Sequence, residues 1–580
     1  MRTVFIHGEA DRFDASREEL IARFGRSRPE LDAAELLDQL LTDKFARDGL
    51  LAWWSEEELA RFLVAVVPRR SVLADWSLAP DFLHQWIGFL AENDLLTGPN
   101  TVSELHEAVE RATPDYLIAM AEPAEWSSAK FWSITMRELG VDTDDQQAVA
   151  EFFAAVDADE VDVDHDVLEE IERREALEPG DQPALWLPPV ELAELEPHRA
   201  IAAGSPVVQL IHIVLEWIGD GRDPSDVDDL VTALGGHAED ADLLLEWAER
   251  AGLVRSAGDL LVRTLIADPL LARPELLWSR LWQRFVLVDD VFRERLDVLS
   301  EGADALPEIV QAALSVLYAR TDAVPLELIV SMTCDLLDEA EPAAQEAVRD
   351  VVGQVLAQWE SMQAVRTHTA APGEVEVELL PAGLWAARES LRAFGFRVPS
   401  VDDLAAAPAE LLTLALTDTP VDVQPVLIGR WIEQRGARQA SGELTALLRR
   451  VDDPTVRLSA LAVLEHTGAE GVAAARDLID DPVAGPAARV WLQARPSSTD
   501  AALRPGDELL CALDGMAAAL DEDIELFLTE FGRHPASDQL SLITEIAGSE
   551  HSSATEVLAV IAEHHPEEVI ATAARTGLGA

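Results

Sequence analysis

The chain has 580 residues, 48% of them hydrophobic, with 108 carboxylates against 44 lysines and arginines and a formal net charge of -64. An apolar fraction of that size excludes wholesale disorder, so the acid should lie outside folded domains, about four of them by length alone. The same charge would repel a phosphate backbone or an anionic membrane, and the arginines are too dispersed to make a basic patch against it.

The opening residues MRTVFIHGEADRFD lack the apolar core and cleavage site of a signal peptide, and no apolar run is long enough to span a bilayer. The expected location is therefore the cytoplasm. A strand at residues 4 to 8 ending in His7-Gly8 would suit the oxyanion loop of an α/β-hydrolase, but the Gly-x-Ser-x-Gly elbow it needs is absent. Leu36, Leu37, Leu40 and Leu41 make one helical stripe, and from 56 to 155 helix follows helix, punctuated by Pro68, Pro80, Pro99, Pro114 and Pro123. Tryptophans such as Trp53, Trp54, Trp86 and Trp132 sit among apolar residues, as core side chains do. Residues 1–156 are read as an N-terminal helical domain.

Residues 157–204 read as an acidic, proline-containing linker. Asp162, Asp164 and Asp166 alternate like the first ligands of a calcium loop, but Val167 stands where glycine is needed and Arg173 where the closing glutamate should be. No metal site is expected there.

Helical patterns at 207–218, 225–234 and 241–251 precede a short hairpin turning at Ala257-Gly258-Asp259, and this order resembles a winged helix over 205–300. The order recurs over 301–400, with helices at 309–320, 325–337 and 342–359, a hairpin from Ala364 to Leu379, and a closing helix. In a DNA-binding winged helix, the helix before the wing meets phosphates with lysine or arginine. Here the first candidate has one arginine, Arg250, against five acids, and Arg349 is the only base in the second. Direct DNA or RNA binding is argued against, and a protein-binding or structural role is favoured.

From 401 to 580 the chain reads as helical hairpins. Two corners 28 residues apart carry Asp-Asp-Pro, at Asp452-Asp453-Pro454 and Asp480-Asp481-Pro482. Asp453-Pro454-Thr455-Val456-Arg457 followed by Ala460 resembles the HEAT repeat, whereas the second corner departs from it with Val483-Ala484-Gly485-Pro486. Pro454 suits a first helical turn and Asp453 an N-cap. A helical bundle with two similar corners fits the same pattern. The fold class expected is mainly α, multidomain, with winged-helix-like units and a C-terminal HEAT-like region.

The two cysteines, Cys334 and Cys511, have no ligand spacing. His564-His565 with Glu567 lacks further ligands, and phosphate loop, dinucleotide glycines and His-Glu-x-x-His are all absent. No catalytic, cofactor or metal residue is assigned. An enzyme would need a cleft gathering His84, His212 or His237 with carboxylates.

Lysine occurs only at Lys44 and Lys130, among 42 arginines, a bias of GC-rich genomes. Pro123-Ala124-Glu125-Trp126-Ser127-Ser128-Ala129-Lys130 with Gly140-Val141-Asp142, residues 245 to 262, and Leu380-Pro381-Ala382-Gly383-Leu384-Trp385 resemble a group of large, acidic, uncharacterised proteins of GC-rich bacteria, some of whose relatives carry a plasmid ORF-3-like domain. No segment here corresponds to that domain. The resemblance implies a helical fold with small wings and no assigned activity.

The function expected is a non-catalytic protein-interaction scaffold. Its repeat region would offer a concave groove to a protein partner around Leu427, Trp431, Arg435, Arg449 and Arg457. The alternative is a regulator or acidic nucleic-acid mimic acting on a basic transcription or replication partner, with carboxylates arrayed on one face.

Overall fold

Leu36, Leu37, Leu40 and Leu41 recur at helical spacing, and the helix Ala34–Arg47 turns all four inward. The same apolar spacing builds a chain that is mainly helical with a few small antiparallel sheets. The computed structural model describes residues 3, 5, 10–31, 33–143, 145–158, 160–161, 163–176, 186–193, 201–202, 204–236, 238–299, 302, 305–320, 322–339, 341–371, 374–495, 502–549 and 551–579. It divides into two units, Met1–Val398 and Pro399–Ala580.

In the first unit, the helices Ala10–Ser27, Ala34–Arg47, Leu78–Glu92 and Val102–Ala121 enclose a core in which Phe24 meets Phe82, Trp86 and Phe89 edge-on. Pro68 follows directly on a π-turn, Phe62–Val66, where the regular hydrogen-bond ladder is already interrupted and a missing N–H costs least. Ser128–Glu138, Gln146–Asp157 and His165–Glu175 form a smaller core around Phe131, Phe152 and Ile171.

Two segments then repeat one order of elements. The first has the helices Pro206–Ile218, Val227–Ala233 and Ala238–Arg250, then the strands β1 (Val254–Ala257) and β2 (Leu260–Arg263). The second has Ala305–Tyr318, the strand β3 (Val324–Pro325), Leu326–Leu336, Pro342–Ser361, and the strands β4 (Val365–Ala371) and β5 (Glu374–Leu379). Its sheet order is β3-β5-β4, and in the first segment Arg222 makes the corresponding antiparallel bridge to Leu261 of β2. In both, an extended piece after the first helix ties the hairpin to the helices through backbone bonds. Two residues are too few to show an alternating pattern, so β3 is absent from the sequence reading.

One apolar cluster runs through both segments, from Val190 to Val398. The closing helix, Pro381–Ala393, comes so near the hairpin that a Cβ on Gly383 would overlap the Ala364 carbonyl. Ion pairs between residues far apart in sequence join the parts of this unit, among them Arg47 with Glu389 at 2.8 Å and Arg273 with Asp115 at 2.6 Å.

In the second unit, Ala409–Asp418, Pro454–His466, Asp507–Glu522 and Ala554–His564 pack in succession, each on the next. Asp453 caps the second of these by accepting the Val456 N–H at 3.1 Å, with Pro454 in the first turn. At the other corner Asp481 accepts from Val483 and Ala484 at 2.9 and 3.0 Å. Arg489 meets buried Asp507 through two 2.7 Å bonds, and Asp514 takes both Arg457 and His551.

Candidate partner-binding site

Of the five side chains expected to line a partner groove, Leu427 and Trp431 are fully buried. The helix that carries them, Gln424–Arg435, packs on Val401–Ala406, and Trp431 Nε1 donates to the Ala407 carbonyl at 2.8 Å. The apolar stripe there faces a neighbouring helix, so these two side chains fill the interior and do not line an open groove. Arg435 lies over the Trp431 ring, 4.4 Å from its centroid, and donates to the carbonyls of Ala405, Ala406 and Ala407. Those carbonyls end the helix Val401–Ala406, so the guanidinium satisfies acceptors that the helix leaves open. Arg457 is engaged with Asp514 and with the Val451 carbonyl. Arg449 keeps about half of its side chain exposed, 3.7 Å from Asp481.

Exposed apolar side chains occur elsewhere. Met332 and Leu336, one turn apart on Leu326–Leu336, are 49% and 50% exposed, while Ile329, Val330, Thr333 and Cys334 form the buried side of the same helix. Spacing alone does not mark them as exposed, because Leu336 stands at i+7 from Ile329 and i+3 from Thr333 and so continues the apolar stripe of the helix. Along β5, Glu374, Glu376 and Glu378 alternate with Val375, Val377 and Leu379, of which Val377 is fully buried. Across the hairpin His368 stands 3.1 Å from Glu376 and Arg366 3.4 Å from Glu378. On Pro342–Ser361 the single base, Arg349, is paired with Glu327.

Neither lysine reaches the surface. Lys44 donates to both carboxylate oxygens of Glu58 at 2.6 Å and lies 5.1 Å from the centroids of Trp53 and Trp54. Burial pushes Glu58 up to about 7, with Lys44 pulling the other way. Lys130 donates to the Pro68 carbonyl at 2.6 Å, touches the Met120 sulfur at 3.6 Å and faces Trp126, and burial lowers its pKa to about 8. An amine of that basicity has the chemistry of a nucleophile, but Lys130 is 3% exposed and its amine is committed to the Pro68 carbonyl. Burial also raises Glu125, yet Arg280 and Arg284 outweigh it and hold the carboxyl well below its usual range.

Glu246, Asp289 and Asp290 converge closely enough to hold a cation. Arg250 already stands among them, 3.7, 3.8 and 2.9 Å away, and Glu246 also accepts the backbone N–H groups of Asp290 and Val291. The guanidinium supplies the positive charge these carboxylates need. Asp164 caps the helix His165–Glu175, accepting from Val167 at 3.2 Å; Asp162 and the side chain of Asp166 lie outside the described residues. His84 pairs edge-on with His106, while His212 belongs to Pro206–Ile218, a helix of a different core, and His237 lies outside the described residues. His565 is buried and closes its turn by accepting the Glu567 N–H.

No family model matches the chain, and no curated protein or solved structure matches it either. Among the described residues no helix is long and apolar enough to cross a membrane.

Proposed function

We propose that the chain is a non-catalytic, cytoplasmic protein-interaction scaffold, with HEAT-like repeats over 401–580 and winged-helix-like units over 205–300 and 301–400. The observation that carries this reading is the succession Ala409–Asp418, Pro454–His466, Asp507–Glu522 and Ala554–His564, each helix packing on the next. Helical repeats share a core in that way and present a long surface to a partner. The capped corners at Asp453 and Asp481 support the HEAT-like assignment. The β3-β5-β4 order, with a helix running into the hairpin, supports the winged-helix-like one. Phosphate is a poor ligand for that helix, whose one arginine is held by Glu327 and which therefore has no cation with which to release counterions. Arg449, half exposed, stays available as a partner contact on the repeat side.

The test is affinity capture from lysate of the native organism at low and at moderate salt, with mass spectrometry. One dominant partner that survives moderate salt is expected. Recovery of basic proteins alone, all lost as salt rises, would overturn the scaffold reading.

A second reading, an acidic regulator or nucleic-acid mimic, draws on the outward row Glu374, Glu376 and Glu378 along β5. Alternate residues of a strand stand about 7 Å apart, which sets three carboxylates in line, with Glu374 exposed and a basic partner having to compete with His368 for Glu376 and with Arg366 for Glu378. Under this reading DNA competes with the chain for that partner.

A further inference from the structure

We infer that the exposed face of Leu326–Leu336 docks a basic amphipathic helix of a protein partner, an inference that rests on the scaffold reading. Met332 and Leu336 leave about half of their surface in water on adjacent turns of one helix. That apolar area is the kind a partner's apolar stripe covers, and the unbranched methionine adapts to its shape.

Charge selects which partner. Asp335 and Asp338 are exposed beside the apolar pair, and the helix that follows adds exposed carboxylates, Glu341, Glu346 and Asp350, to the acidic field of this segment. The one base of that helix, Arg349, already gives both of its terminal nitrogens to Glu327. A second copy of this chain, at -64, would be repelled from such a face, as would an anionic membrane. A helix with leucines at i, i+3 and i+4 and flanking lysines or arginines would lay its apolar side on Met332 and Leu336 and its cations on Asp335 and Asp338.

The experiment is a fluorescence-anisotropy titration of the full chain with a labelled amphipathic helical peptide built from leucine and lysine. Saturable binding is expected, with one site weakened about tenfold by Met332→Glu combined with Leu336→Glu. A smaller loss is expected for Leu336→Gln, which keeps the side-chain volume if the double variant does not fold, as circular dichroism would reveal. Val569→Glu, at a residue 68% exposed in the second unit, should leave binding unchanged. Equal binding by all variants would show that the general acidic field holds the peptide, and the inference would fall while the capture experiment still decided the scaffold reading. Absence of saturable binding by the unmodified chain would sink the inference as well.

Discussion

The amine of Lys130 meets a carbonyl, a thioether and an indole face instead of a carboxylate. Burial lowers its pKa from 10.5 to about 8, so between those values the unfolded chain binds a proton that the folded chain does not. Stability from this group therefore rises with pH across about 8 to 10.5, and below that window its charge is a constant cost. Replacing Lys130 with methionine removes the titration. The thermal midpoint of Lys130→Met, relative to the unmodified chain, should be most favourable at neutral pH and decline toward pH 10.5; a gap that does not change with pH would refute the assignment. Lys44 is the contrasting case: its burial is not among the sequence expectations above, yet it was encoded locally, because it continues the stripe of Leu36, Leu37, Leu40 and Leu41 by one turn. The burial of Lys130 was not: nothing local announces that the end of another helix, at Pro68, will accept from it.

Two glycines inside helices show how packing decides the sign of a substitution. Gly353 lies in Pro342–Ser361 with nothing within 4 Å of a built Cβ, and alanine there should stabilise by about 0.5–1 kcal/mol through lower backbone entropy in the unfolded chain. Gly383 lies in Pro381–Ala393, where helix propensity favours alanine equally, but the Cβ would overlap the Ala364 carbonyl. Gly383→Ala should therefore destabilise by about 1–3 kcal/mol, because the helix must retreat from the hairpin it covers. Unfolding midpoints of the two variants in urea check both; a shift in the same direction would count against the close approach. Helices were the legible elements, since each carries several turns of periodic signal. Asp453 was legible as a cap for the same local reason, whereas the two-residue strand β3 carried no period and was found only in its pairing with β5.

Across the whole molecule the dominant quantity is charge. With 108 carboxylates against 44 lysines and arginines, repulsion works against folding, and most of it acts through solvent, where salt screens it. From about 0.01 M to about 1 M salt the screening length falls from about 30 Å to about 3 Å. The thermal midpoint should climb over that range, because interior pairs such as Arg489 with Asp507 are screened much less than the surface they lie beneath. A midpoint that falls with salt would mean that the surface arginines hold more attraction than the acid holds repulsion. The helical class, the acidic exterior, the capped corner at Asp453 and the poverty of cations on the helix before the hairpin can all be read from the amino acids in order, because composition and short-range spacing encode each of these. That Leu427 and Trp431 face a neighbouring helix, that Met332 and Leu336 face water, and that Arg47 reaches Glu389 follow from how the elements pack on one another. Periodicity states that a helix has an apolar side; what covers that side is set by other elements, 24 positions away where Trp431 meets Ala407 and 342 where Arg47 meets Glu389, which no local pattern records.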